Sequence, residues 1–132
     1  MTYDLTIALR VSPILSRKHL FFTSKQDMVE ACFDSLVESL EGLSYHLVVI
    51  LDNCPQFAEI FKKRVDEKHL KMTFARGIGN ANTFLHQIQI LLDQTKTEYV
   101  YFAEDDYYYI GKMSDALKFI SAGNHFVDFL TP

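Results

Sequence analysis

His46-Leu47-Val48-Val49-Ile50-Leu51, followed at once by Asp52-Asn53-Cys54-Pro55, decides how the chain folds. The run is short and nearly all apolar, as a central strand of a parallel sheet is when both its faces are covered. The Asp-Asn-Cys-Pro segment then ends it in a loop. Segments of helical period lie on either side. Upstream, Ser24 and Asp27 form a variant capping box, and Val29, Cys32 or Phe33, Leu36, Val37 and Leu40 fall on one stripe. That helix should stop at Gly42, a residue suited to the left-handed conformation of a helix end. Downstream, Phe57, Ile60, Phe61 and Val65 carry a short helix.

Further out the alternation continues. From about Asp4 to Val11, Leu5, Ile7, Leu9 and Val11 alternate with Thr6, Ala8 and Arg10, a strand that Pro13 stops, and Ile14–Thr23 reads as a loop. Leu70–Phe74 is the third strand, with Met72 and Phe74 expected to be buried. Arg76-Gly77-Ile78-Gly79-Asn80-Ala81-Asn82 opens a helix whose buried face is expected to be Phe84, Leu85, Ile88, Leu91 and Leu92. Tyr99–Phe102 is a fourth strand ending at Ala103-Glu104-Asp105-Asp106, a helix follows from about Met113 to Ala122 with Gly123 behind it, and His125–Leu130 reads as a last strand. The alternation predicts an α/β fold, a Rossmann-like parallel sheet with helices on both faces, formed as one domain over residues 1–132. The exposed edge of the last strand implies a homodimer, or burial by the chain itself.

A chain of 132 residues with 48% hydrophobic side chains suffices for a single core. With 13 basic against 17 acidic residues, a net charge of -4 and no block of roughly five like charges, the composition argues against a nucleic-acid or anionic-membrane partner. The opening residues MTYDLTIALRVSP mix acid and base within a short apolar run, unlike a signal peptide, and no apolar stretch reaches the roughly 18 residues of a transmembrane helix. A soluble, cytoplasmic protein is expected. Cys32 and Cys54, lacking CxxC spacing, read as reduced thiols. No pair among His19, His46, His69, His86 and His125 has metal-ligand spacing, and neither GxSxG nor GxxxxGK[ST] occurs.

In an open parallel sheet, ligands bind beyond the carboxyl ends of the strands, where the strand order reverses. With the order 3-2-1-4, Arg10–Pro13 faces Glu104–Asp106 across that crevice. Consecutive carboxyls repel one another and raise one another's pKa unless a cation compensates. In an extended chain Glu104 and Asp106 point to the same side, so the pair offers hard oxygen ligands to Mg²⁺ or Mn²⁺; a solvated strand end is the plainer reading. Tyr107-Tyr108-Tyr109 either stack on a base or sugar or pack against the next helix. Gly77 and Gly79 allow close backbone approach at a helix start, and Asn80 or Asn82 suits a cap. Asp52 is placed to accept hydrogen bonds from a ribose or base, and turn formation with Asn53 and Pro55 explains it equally well.

These segments together resemble the GT-A glycosyltransferases, in particular family 2: Leu5–Val11, Leu51-Asp52, Gly77-Ile78-Gly79-Asn80-Ala81-Asn82, and Tyr101-Phe102-Ala103-Glu104-Asp105-Asp106. The resemblance covers most of the chain and implies a site. Arg10, Ser12, Pro13 and Asp52 would hold the nucleoside, Arg76, Gly77, Gly79, Asn80 and Asn82 would line its pocket, and Asp105 would lie beside the diphosphate. Glu104 and Asp106 would stand at the DxD positions and hold the Mn²⁺ or Mg²⁺ that bridges the diphosphate, with Glu replacing the first Asp and Asp106 the closer ligand. The implied partner is a UDP- or GDP-linked sugar, its residue passing to an unknown acceptor. Family members continue well past this length into an acceptor-binding half that supplies the base of inverting members; Asp105 and Asp128 are the weak candidates present. The chain is therefore expected to be the nucleotide-sugar-binding half of such an enzyme, and the alternative is a non-catalytic nucleotide-sugar-binding or assembly subunit, or a truncated fragment. A nucleotidyltransferase would need a glycine-rich, lysine-containing loop after the first strand. A receiver domain would need paired acids there and an aspartate after the third strand, where Arg10-Val11 and Ala75-Arg76 stand instead.

Overall fold

The computed structural model describes residues 2–15 and 21–123, so the strand expected at His125–Leu130 lies outside the described residues. Strands β1 (Leu5–Val11), β2 (Tyr45–Asp52), β3 (Leu70–Ala75) and β4 (Tyr99–Glu104) form one parallel sheet in the order β3-β2-β1-β4. That is the expected order, and it makes β1 and β2 the interior strands. Their alternate side chains meet protein on both faces, which is why β2 carries the apolar run.

Leu5, Ile7, Leu9 and Val11 of β1 and Leu47, Val49 and Leu51 of β2 share one buried cluster with Val29, Phe33, Leu36 and Leu40 along helix α1 (Lys25–Ser39). The same cluster takes in Ile60 and Phe61 of the short helix α2 (Ala58–Lys62) and Met113, which opens helix α4 (Met113–Ser121). Phe33 meets Phe61 edge-on, with ring centroids 4.7 Å apart. Helix α1 starts as its sequence predicts: the Ser24 hydroxyl oxygen accepts from the Asp27 amide at 3.1 Å. Gly42, just beyond its end, has φ 83°. Only a residue without Cβ takes that conformation at little cost.

Helix α3 (Gly79–Asp93) covers the opposite face, and here the expectation holds for Leu91 and fails for Phe84, Leu85 and Leu92. Its buried residues are Thr83, Gln87 and Leu91, whereas Phe84, Leu85 and Leu92 are 43%, 61% and 74% exposed. The reason is polar. This face of β1 carries Thr6 and Arg10, and Gln87 Nε2 donates to the carbonyls of both Ala8 (2.6 Å) and Ala103 (3.0 Å). Buried carbonyls and a guanidinium need hydrogen-bond partners, so α3 turns Thr83 and Gln87 inward and its apolar stripe to the flank beside β4. There Phe84 lies 6.0 Å from the Phe102 ring and Val100 is exposed. Phe74 is a second correction: it sits near the end of β3, an edge of this sheet, and is 56% exposed.

No helix among the described residues is long and apolar enough to cross a membrane. Cys32 and Cys54 are both free and buried, and burial, with a smaller push from nearby aspartates, raises each thiol to about 11. At pH 8 such a thiol is roughly 0.1% thiolate, the reactive form. Neither cysteine should react with a thiol-exchange dye in the folded protein at pH 8, and both should react promptly in urea. Rapid native labelling would show that the core opens readily.

Candidate functional site

The strand order reverses between β1 and β4, and the register sets Arg10 directly beside Glu104 at that point. Beyond the strand ends lies an open cavity of about 700 Å³, within the range of small-molecule sites. One wall is Arg10, Val11, Ser12, Pro13 and Ile14; another is Glu104, Asp105, Asp106 and Tyr107; Gly77, Gly79, Asn80 and Thr83 come from the start of α3, Asp52 and Asn53 from the end of β2, and Lys25 and Met28 from α1.

The three consecutive acids differ sharply in surroundings. Arg10 Nε donates to both Glu104 oxygens at 2.8 Å, and Arg10 Nη1 donates to the Asn80 carbonyl at 2.7 Å and reaches Thr83 Oγ1 at 3.5 Å. The guanidinium also sits 5.4 Å from the Phe84 ring centroid. Asp105 receives Lys25 Nζ at 2.7 Å and the Ser12 amide at 3.0 Å. Burial lifts both carboxyls above their ordinary range, opposed by Arg10 at Glu104 and by Lys25 and the Ser12 amide at Asp105. Asp106 is exposed and has no hydrogen-bond or ion-pair partner among the described residues.

The extended-chain argument for a Glu104–Asp106 ligand pair therefore does not hold. Strand β4 ends at Glu104, the next residues turn, and the Tyr107 amide comes back to the Glu104 carbonyl at 3.5 Å. Glu104 is committed to Arg10. Among the described residues no three or more His, Cys, Asp or Glu side chains are arranged to hold a metal. The described residues therefore form no dedicated protein cage. Mg²⁺ is commonly bound through one or two carboxylates plus water and phosphate oxygens, and Asp106, with Asp105 beside it, fits that lighter demand.

Asp52 has a role that neither sequence reading anticipated. Its carboxylate accepts from the Ile78 amide at 2.9 Å and the Gly79 amide at 3.0 Å, capping α3 from across the sheet. Acids are favoured at a helix N-terminus by the unpaired amides and the helix dipole. Gly77 (φ 71°) and Gly79 (φ 86°) shape the loop that brings those amides round, and both line the cavity with open space beside them. Asn80 lines it too, but the cap belongs to Asp52: Asn82 Nδ2 donates to the Ile78 carbonyl, and Asn82 and the exposed Arg76 lie off the cavity wall. Of the tyrosines, Tyr107 faces the cavity, whereas Tyr109 packs inward, its hydroxyl 2.9 Å from that of Tyr101.

Lys25 was missed. It follows Ser24, the cap of α1, and its charge is accompanied in the first turn by Asp27, so no local signal marks it as a cleft residue. Thr83, whose hydroxyl lies between the Gly79 and Asn80 carbonyls and Arg10, carries no such signal. No family model and no curated protein matches the chain.

Proposed function

We propose that the cleft binds a nucleoside-diphosphate sugar together with Mn²⁺ or Mg²⁺, as the donor-binding half of a GT-A-type glycosyltransferase. The observation that carries this reading is the unpartnered Asp106 on the wall of a 700 Å³ cavity at the strand-order reversal. In that cavity the acids Asp52, Glu104, Asp105 and Asp106 outnumber the bases Arg10 and Lys25. A diphosphate entering such a field needs a divalent cation with it. Asp106 then serves as the first carboxylate ligand, with Asp105 adjacent, while Ser12, Pro13 and the Gly77–Asn80 loop form the walls against which a nucleoside rests. When bound, the cation supplies charge stabilisation to the departing diphosphate.

A donor-binding subunit without turnover of its own is favoured by one observation. Asp105, a candidate base, is held by Lys25 and the Ser12 amide; Asp128, the other, lies outside the described residues. The buried reduced thiols accord with a cytoplasmic setting, and the apolar flank of α3 beside β4 is the surface that a second copy would cover in a homodimer.

Calorimetric titration with UDP and with GDP, each with and without Mn²⁺, tests the donor site. Binding is expected only with Mn²⁺, weakened at least tenfold, or about 1.4 kcal/mol, in Asp106→Ala. No binding of either nucleotide with Mn²⁺ present rejects the reading, and equal binding by the variant removes Asp106 from it.

A further inference from the structure

Lys25 is the least expected residue in the cleft. Its side chain is only 9% exposed, and that of its partner Asp105 only 11%. An ammonium carries three donors, and among the described residues Asp105 is the one acceptor that Lys25 has. The group lines the cavity, so its remaining donors have the cavity to serve. It also sits in the first turn of α1, where the helix dipole disfavours a cation and favours an anion.

The two cation–acid pairs of the cleft are built differently. Arg10 grips Glu104 through both carboxylate oxygens and is itself pinned to the Asn80 carbonyl and laid against Phe84. Lys25 is a compact charge on a flexible stem and touches a single Asp105 oxygen. If one acid is to be released to a divalent cation beside Asp106, Asp105 is the one whose partner can move.

We propose that Lys25 exchanges partners: Asp105 passes to the divalent cation next to Asp106, and Lys25 turns its freed charge to the diphosphate. This rests on the metal-and-diphosphate reading of the cleft and adds to it a coupling. Cation and anion each bind weakly alone, because Lys25 competes for Asp105 and Asp105 competes for Lys25. Together they remove both competitions. By linkage each must raise the other's affinity by the same factor.

The test is calorimetric and needs no turnover: Mn²⁺ alone, pyrophosphate alone, the two together, and UDP with Mn²⁺, on the wild-type chain, Lys25→Met and Asp105→Asn, with thermal melts to confirm folding. The wild-type chain should show Mn²⁺ affinity raised about tenfold or more by pyrophosphate, within the ordinary span of coupling energies. In Lys25→Met, Mn²⁺ alone should bind about tenfold more tightly and the pyrophosphate enhancement should shrink to what the direct metal–phosphate contact supplies. Asp105→Asn should show a smaller enhancement, with Mn²⁺ alone bound more weakly and pyrophosphate alone more tightly, so a variant that fails to fold leaves the other to decide. Additive Mn²⁺ and pyrophosphate binding in the wild type, or a Lys25→Met chain with unchanged Mn²⁺ affinity, overturns the exchange. If UDP does not bind while Mn²⁺ and pyrophosphate stay coupled through Lys25, the nucleotide reading fails and the exchange stands. If UDP and Mn²⁺ bind alike with and without Lys25, the exchange fails and the donor reading stands.

Discussion

Arg10→Met is expected to cost about 3 kcal/mol of folding stability, the range seen when one partner of a largely buried ion pair is removed. The Arg10 and Glu104 side chains are 17% and 21% exposed, so Glu104 would be left as a nearly buried carboxylate without its cation. The Asn80 carbonyl would lose its donor as well, and with it the link from β1 to the first turn of α3. Urea unfolding measures the loss. Adding Glu104→Leu should recover much of it, because a pair replaced by apolar groups leaves no orphaned charge. A cost below about 1 kcal/mol for Arg10→Met would instead class the pair with exposed salt bridges, which contribute little.

Phe61→Ala is expected to destabilise by about 3–5 kcal/mol, combining lost transfer free energy with the cavity left behind. Phe61 is completely buried and stands edge-on to Phe33, tying α2 to α1 over the sheet. Against a typical total of about 5–15 kcal/mol, such a loss leaves the chain marginal or unfolded at physiological temperature. Phe74→Ala makes the control. Its ring is more than half exposed, so the same chemical change there should cost under about 1 kcal/mol. Similar losses at both positions in thermal or urea melts would mean that Phe74 is covered in solution.

The fold was legible where burial is symmetric. The run from Leu47 to Leu51 could only be apolar throughout if both faces were covered, and the alternation in Leu5–Val11 and the stripe of α1 followed the same logic. Legibility failed on α3, because periodicity assigns the apolar face inward by default. It cannot see that the sheet surface opposite holds Arg10, which Thr83 faces, and the Ala8 and Ala103 carbonyls, to which Gln87 donates. At the site, the position of the acids was readable from the end of β4, and so were Ser12, Pro13, Asp52, Gly77, Gly79 and Asn80 as cavity lining. Which acid is free was not. The strand order set Arg10–Pro13 opposite Glu104–Asp106, but not the register that puts Arg10 beside Glu104 itself, 94 residues away in sequence. Lys25 and Asp105, brought together from α1 and the end of β4, were hidden as well.

The Asp52 bridge to the Ile78 and Gly79 amides has a consequence for how fast and how selectively the cleft can work. A glycine-bearing loop is ordinarily free to sample many shapes, and a ligand that must first freeze one of them binds more slowly and with an entropic handicap. Here the loop is fastened from the sheet before any ligand arrives, by a side chain at the end of a strand buried in the core. That part of the cleft lining is therefore preorganised. A ligand matched to that loop would lose less conformational entropy on binding than one that must first order it.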